Sequence, residues 1–156
     1  MLTLIAAVSQ NGCIGKNGQL PWHIPQDVAR FKSLTTRKTV LMGRKTWDSI
    51  PERFRPLPNR KNLVLTRQTD FVLPAGVERF SSFTAALAAH GQEDICVIGG
   101  ADIYAAALPL ASRLEITEVK REVDGDAFFP PIDPTLWREI AREVHDEFDF
   151  VTYERT

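Results

Sequence analysis

Four short runs of this chain, Leu2 to Val8, Lys38 to Met42, Asn62 to Leu65 and Asp94 to Ile98, are apolar along nearly their whole length. A strand with one face in water alternates apolar with polar residues, so runs like these belong to a sheet covered on both sides. Helical starts and stops lie between them. Pro25 suits the first helical position, where its missing N–H costs nothing. A second helix opens at Gly43-Arg44-Lys45-Thr46, a third is capped by Ser81 or Ser82 and runs to about His90 before Gly91, and a fourth spans about Ala101 to Leu108. Alternation of this kind builds an α/β fold on a largely parallel sheet. Val77 to Phe80 and Leu114 to Val119 add strands, and Trp137 to Val144 with Phe148 to Glu154 flank Asp146-Glu147 as an antiparallel pair.

A chain of 156 residues closes these elements into a single domain. Its net charge of −1 argues against a nucleic-acid or membrane-surface footprint. The apolar start is too short to cross a bilayer and lacks a basic leader, and Cys13 and Cys96 are far apart, so a cytoplasmic protein with free thiols is expected. His23, His90 and His145 lack zinc spacing and read as surface residues; Asp124-Gly125-Asp126 reads as a turn, and no metal is expected.

Three strand ends carry groups that suit phosphate: Gly43 to Thr46, Thr66 with Arg67, and Gly99-Gly100. In open α/β sheets the crevice at the carboxyl ends of the strands is the usual ligand site, so the three can converge on one bulky anion. A dinucleotide with an extra ribose phosphate fits a cluster of Arg44, Lys45 and Arg67, although the G-x-G-x-x-G fingerprint is absent. The stretch from Ser9 to Ile24, with Gly12, Gly15 and Gly18, has neither helical nor strand period and is either a lid or a plain surface loop. Pro51 to Asn59 is a second exposed loop.

Asp27 is the odd residue of the first helix. Ile24, Val28, Phe31 and Leu34 share one arc of the helical wheel, and Asp27 projects inside that arc, while Arg30, Lys32 and Ser33 fall on the polar side. An acid in a first turn commonly serves the orphan N–H groups and the helix dipole. The alternative is a carboxyl at the floor of an apolar pocket beside Trp22 and Phe31, placed to bind or protonate a flat polar ligand.

Taken together, Ile5-Ala6-Ala7, Ile14-Gly15, Leu20-Pro21-Trp22, Pro25 with Asp27 and Phe31, Met42 to Trp47, Ser49-Ile50, Pro56-Leu57-Pro58, Arg60-Lys61-Asn62, Val97 to Gly100, Tyr104, Thr117, Gly125-Asp126 and Phe129-Pro130 follow one order over about the full length. In these motifs the chain resembles the bacterial dihydrofolate reductases. The resemblance implies one domain, with an adenosine-binding subdomain over about 38–91. It also implies a mixed, mostly parallel eight-stranded sheet with an antiparallel C-terminal strand and four flanking helices. The implied reaction is NADPH-dependent reduction of 7,8-dihydrofolate to tetrahydrofolate in one-carbon metabolism, by a monomer that antifolates such as trimethoprim and methotrexate inhibit.

By the same resemblance Asp27 holds the pterin and promotes protonation of its imine nitrogen, Thr117 supports Asp27, and Leu20 and Trp22 act beside it from the lid. Ile5, Val28, Phe31, Ile50, Leu57 and Ile98 wall the substrate pocket, and Arg60 clamps the substrate's glutamate carboxylate. Ala7, Ile14, Gly15 and Tyr104 surround the nicotinamide. Gly43, Arg44, Lys45, Thr46, Leu65, Thr66 and Arg67 bind the adenosine side and its phosphates. Gly99 and Gly100, joined by a cis peptide, lie with Ala101 and Ile103 beside the pyrophosphate. Departures are Leu20 where methionine is common, Asp102 where relatives can carry a cation, an insertion at Glu52-Arg53-Phe54, and a short final turn. A pyrimidine reductase of riboflavin synthesis would share the cofactor site but not the Trp22-Asp27-Phe31 set; the alternative of another class is a non-catalytic nucleotide- or folate-binding module.

Overall fold

The computed structural model describes all 156 residues. In chain order the elements are β1 (Leu2–Ser9), β2 (Cys13–Gly15), α1 (Pro25–Thr35), β3 (Thr39–Gly43), α2 (Arg44–Ser49), β4 (Lys61–Leu65), β5 (Glu78–Phe80), α3 (Phe83–His90), β6 (Ile95–Val97), α4 (Ala101–Ala107), β7 (Arg113–Val119), β8 (Ala127–Phe128), β9 (Trp137–Val144) and β10 (Phe148–Arg155). One eight-stranded sheet has the order β5-β4-β3-β6-β1-β7-β10-β9, and β2 pairs separately with β8. Only β10 runs against its neighbours, so the mixed sheet with one antiparallel C-terminal strand and four helices is the architecture expected from the sequence.

The unbroken apolar runs have a direct physical cause. Along β3, Leu41 joins a cluster with Leu4, Leu63 and Leu114, while Val40 and Met42 join a second cluster with Ile5, Trp47 and Val64. Successive side chains point to opposite faces, and both faces are covered, so a polar residue is kept only where it is hydrogen-bonded, as Thr39 is to Glu93 and Asn62 to the Leu57 backbone. Each such side chain contributes about 1.5–3 kcal/mol relative to exposure.

Ser82, rather than Ser81, caps α3, accepting from the Ala85 N–H at 3.0 Å. Gly91 ends that helix with right-handed dihedrals, and its lack of a side chain matters for space, since a Cβ would sit 2.6 Å from the Leu87 carbonyl oxygen. The stretch after β1 is not structureless: β2 pairs with β8, and Asn11 both accepts from the Val123 N–H at 3.0 Å and donates to its carbonyl at 2.8 Å. A three-residue strand is too short to show a period, and its partner is distant in sequence. Where β2 meets the segment before β8, a Cβ on Gly125 would overlap Cys13 Sγ and the Gly15 carbonyl, so only glycine fits. Cys13 and Cys96 are free and buried.

The reading of His90 as a surface residue is corrected. It is buried at the end of α3, with Nε2 3.0 Å from Glu78 and Nδ1 against Glu93. The helix end and the edge strand close over the ring, an arrangement that histidine spacing alone does not reveal.

Candidate active site

Parallel register lines up the carboxyl ends of β5, β4 and β3 at Phe80, Leu65 and Gly43, while the end of β6, Val97, lies between Leu41 and Leu4. At this edge the backbone does the shaping. The Gly43 N–H donates to the Gly99 carbonyl at 2.8 Å. A Cβ on Gly43 would lie 3.0 Å from Ile103 Cγ1, and one on Gly99 would lie 3.3 Å from Thr46 Oγ1 and 3.4 Å from the Tyr104 hydroxyl. Gly99 has φ +122°, a region side chains disfavour, and the Gly99–Gly100 peptide is cis. These glycines therefore leave a side-chain-free cradle beside Thr46 and the start of α4, where Ala101 adds only a methyl group.

Cations flank the cradle unequally. Arg44 is held by Asp48, with Nε 3.3 Å from Oδ2, and by the Phe71 ring, 4.9 Å from its centroid. Lys45 and Arg67 are exposed, whereas Leu65 and Thr66 are buried at the end of β4. Asp102 is exposed in the first turn of α4.

Across the sheet edge, the side chain of Asp27 makes no capping bond to α1; it accepts from Thr117 Oγ1 at 2.5 Å. Helix capping is thereby set aside. Burial pushes the Asp27 carboxyl pKa up from its ordinary value, against the Thr117 hydrogen bond and the Arg30 charge, which both pull it down. Ile5, Phe31, Ile50, Leu57 and Ile98 pack in one apolar cluster with Met42 and Trp47, whereas Val28 stands exposed on α1. Arg60 is tied to the end of α1: Nη1 donates to Thr35 Oγ1 and Nε to the Pro58 carbonyl, both at 2.9 Å. Burial lowers its pKa, and the tether leaves a guanidinium with a fixed direction and spare donors.

Tyr104 is buried and donates to the Ile5 carbonyl at 2.6 Å; burial and the Asp27 charge push its phenol pKa up, so it stays neutral. Trp22 is buried with an indole Nε1 that has no protein acceptor. Ala7 packs against the Trp22 cluster and Ile14 against the main core, and Gly15 is buried, while Leu20 is exposed at the tip of the loop. Glu52–Phe54 forms one 3₁₀ turn within the proline loop.

The main residue missed from the sequence is Arg30. Assigned to the polar face, it is instead half-buried, donating to Glu115 at 2.6 Å and lying 4.4 Å from the centroid of the Phe150 ring. The available signal was Glu115, an acid two residues from Thr117 and so on the same face of the strand.

The family model described as dihydrofolate reductase matches residues 1–155. The chain belongs to the dihydrofolate reductase family. It is 53% identical over 142 residues to the dihydrofolate reductase of Neisseria meningitidis serogroup A, covering 90% of this chain and 86% of the relative. The Mycobacterium tuberculosis H37Rv dihydrofolate reductase is 46% identical over 142 residues, covering 88% and 84% respectively. Among solved structures, the Enterococcus faecalis dihydrofolate reductase complexed with NADP(H) and RAB-propyl superposes with a TM-score of 0.89 at 35% identity, covering 99% of this chain and 96% of that one. Membership gives the enzyme class and cofactor expected from the sequence, a dihydrofolate reductase that uses NADPH. The side-chain-free cradle and the orphaned Trp22 donor fit that assignment. No helix is long and apolar enough to cross a membrane.

Proposed function

We propose that the chain reduces 7,8-dihydrofolate to 5,6,7,8-tetrahydrofolate, with Asp27 as the only ionisable group that handles the substrate's proton. The observation that carries this reading is a half-buried carboxyl, tied to Thr117 at 2.5 Å and shifted upward by burial, across the sheet edge from the glycine cradle.

Thr46, Gly99, Gly100 and Ala101 would hold the pyrophosphate and Arg44, Thr66 and Arg67 the remaining phosphate, with Ala7, Ile14, Gly15 and Tyr104 around the nicotinamide. Segment 38–91 would supply the adenosine side. NADPH when bound supplies the hydride. Asp27 accepts hydrogen bonds from the amidine edge of the pterin and favours a proton on the neighbouring imine nitrogen, which makes the adjacent carbon a better hydride acceptor. Trp22 Nε1 is free to hold a water on the path to that nitrogen. Ile5, Phe31, Ile50, Leu57 and Ile98 keep the ring in low dielectric, Val28 borders the mouth, and Arg60 takes the glutamate carboxylate. The loop carrying Leu20 closes to exclude water. A protonated diamino heterocycle suits the same carboxylate, so methotrexate and trimethoprim should compete with substrate. The working form is a cytoplasmic monomer.

Loss of NADPH absorbance on adding dihydrofolate, abolished by methotrexate, is the expected result. Folded protein that binds NADPH without turnover would instead make it a binding module.

A further inference from the structure

Asp27 and Arg30 are one turn apart on α1, and Thr117 and Glu115 are two residues apart on the same face of β7. The two pairs form parallel rungs: Thr117 donates to Asp27 at 2.5 Å, and Arg30 donates to Glu115 at 2.6 Å. Strand β10 repeats the pattern, because its register places Phe150 beside Thr117 and Thr152 beside Glu115. Thr152 Oγ1 donates to Glu115 at 2.8 Å, and the Phe150 ring lies under the Arg30 guanidinium. Arg113 lies on the far side of Glu115, at 3.0 Å.

We propose that Arg30, held by Glu115, Thr152 and Phe150, is a positioning residue that sets how readily Asp27 gains its proton. Glu115 acts in the opposite sense, screening part of the Arg30 charge from Asp27. The proposal rests on the reading of Asp27 as the proton-handling group, and it extends that reading to residues with no substrate contact of their own.

Charges of alternating sign, Asp27, Arg30, Glu115 and Arg113, run from the pocket toward the amino end of β7, so each group biases its neighbour. Other groups facing this set are few. Tyr104, from α4, is neutral and donates to Ile5. From β9, Arg142 and Glu143 line the shallow groove over Arg30 and Phe150, but Arg142 is committed to Glu118, Glu139 and Asp149. Arg30 is therefore the cation with the strongest pull on Asp27, consistent with its downward effect on that carboxyl.

The test follows the Asp27 carboxyl by carbon NMR in the unliganded protein, together with the pH profile of single-turnover hydride transfer. Arg30→Gln should move the Asp27 midpoint to higher pH and Glu115→Gln to lower pH. Arg30→Lys, which keeps the charge, should stay close to the parent and guards against a Gln variant that folds poorly. On the descending limb of the rate profile, Arg30→Gln should be about threefold faster relative to its own plateau. A merely structural role would move both Gln variants in one direction or leave the midpoint still, and either result overturns the proposal. If the carboxyl midpoints separate as expected while hydride transfer ignores them, the electrostatic role stands and the proton-handling reading of Asp27 fails.

Discussion

Thr117 and Asp27 meet at 2.5 Å although 90 residues of chain separate them, and the bond turns a helix-start acid into a pocket acid. Asp27→Asn should lower turnover by about 100-fold or more at neutral pH while leaving NADPH affinity nearly intact, as read by steady-state rates and cofactor titration. The same change should raise Tm at pH 7. The folded carboxyl holds its proton above its ordinary pKa, so ionising it destabilises the fold as pH rises through that window, and asparagine has no charge to bury. Thr117→Val removes a bond that favours the charged form, so the fall of hydride transfer with pH should begin at higher pH than in the parent.

Arg67 is exposed, whereas Arg44 is already engaged by Asp48 and Phe71. Arg67→Ala should therefore weaken NADPH binding by about tenfold and NADH binding much less, since the ribose phosphate is the difference between them. Equal weakening of both would remove Arg67 from that contact.

At Gly99 the positive φ would strain any side chain, and the Thr46 and Tyr104 hydroxyls would crowd an added methyl group. Gly99→Ala should cost about 1–3 kcal/mol in denaturant unfolding and weaken NADPH binding more than it weakens folate binding.

His90 faces Glu78 and Glu93 with its two ring nitrogens. Its hydrogen bonds to Glu78 and then Glu93 raise the imidazole pKa, and the reciprocal bond, with Thr39 second, holds Glu93 down to about 2. The His90 contribution is complete below its ordinary value of 6.5 and fades as pH rises through the raised one. That of Glu93 is complete above 4.5 and fades as pH falls toward about 2. Thermal melts of His90→Gln should show a lower Tm near pH 5 to 6, with the difference from the parent shrinking on the alkaline side.

The strands at the glycine cradle are plain in the sequence because burial on both faces favours consecutive apolar residues, as in Val40-Leu41-Met42. The helical phase of Asp27 showed that it faced inward. It could not show what it met, because Thr117 is brought there by sheet order rather than by local spacing. Arg30 and His90 were misplaced for the same reason. Each is polar by type, and each is withdrawn from solvent because carboxylates pair with it: Glu115 from a distant strand for Arg30, and Glu78 from the edge strand together with the nearby Glu93 for His90. The pairing of β2 with β8 was invisible because each strand is too short to leave a periodic trace.

The order of strands separates two kinds of heredity in this molecule. The glycine cradle rests on the ends of β3 and β6, while the Asp27 carboxyl leans on α1, β7 and, through Arg30 and Glu115, β10. Substitutions around Asp27 on β7 and β10 can therefore accumulate without touching the backbone that shapes the cradle, so the two halves are free to be inherited separately.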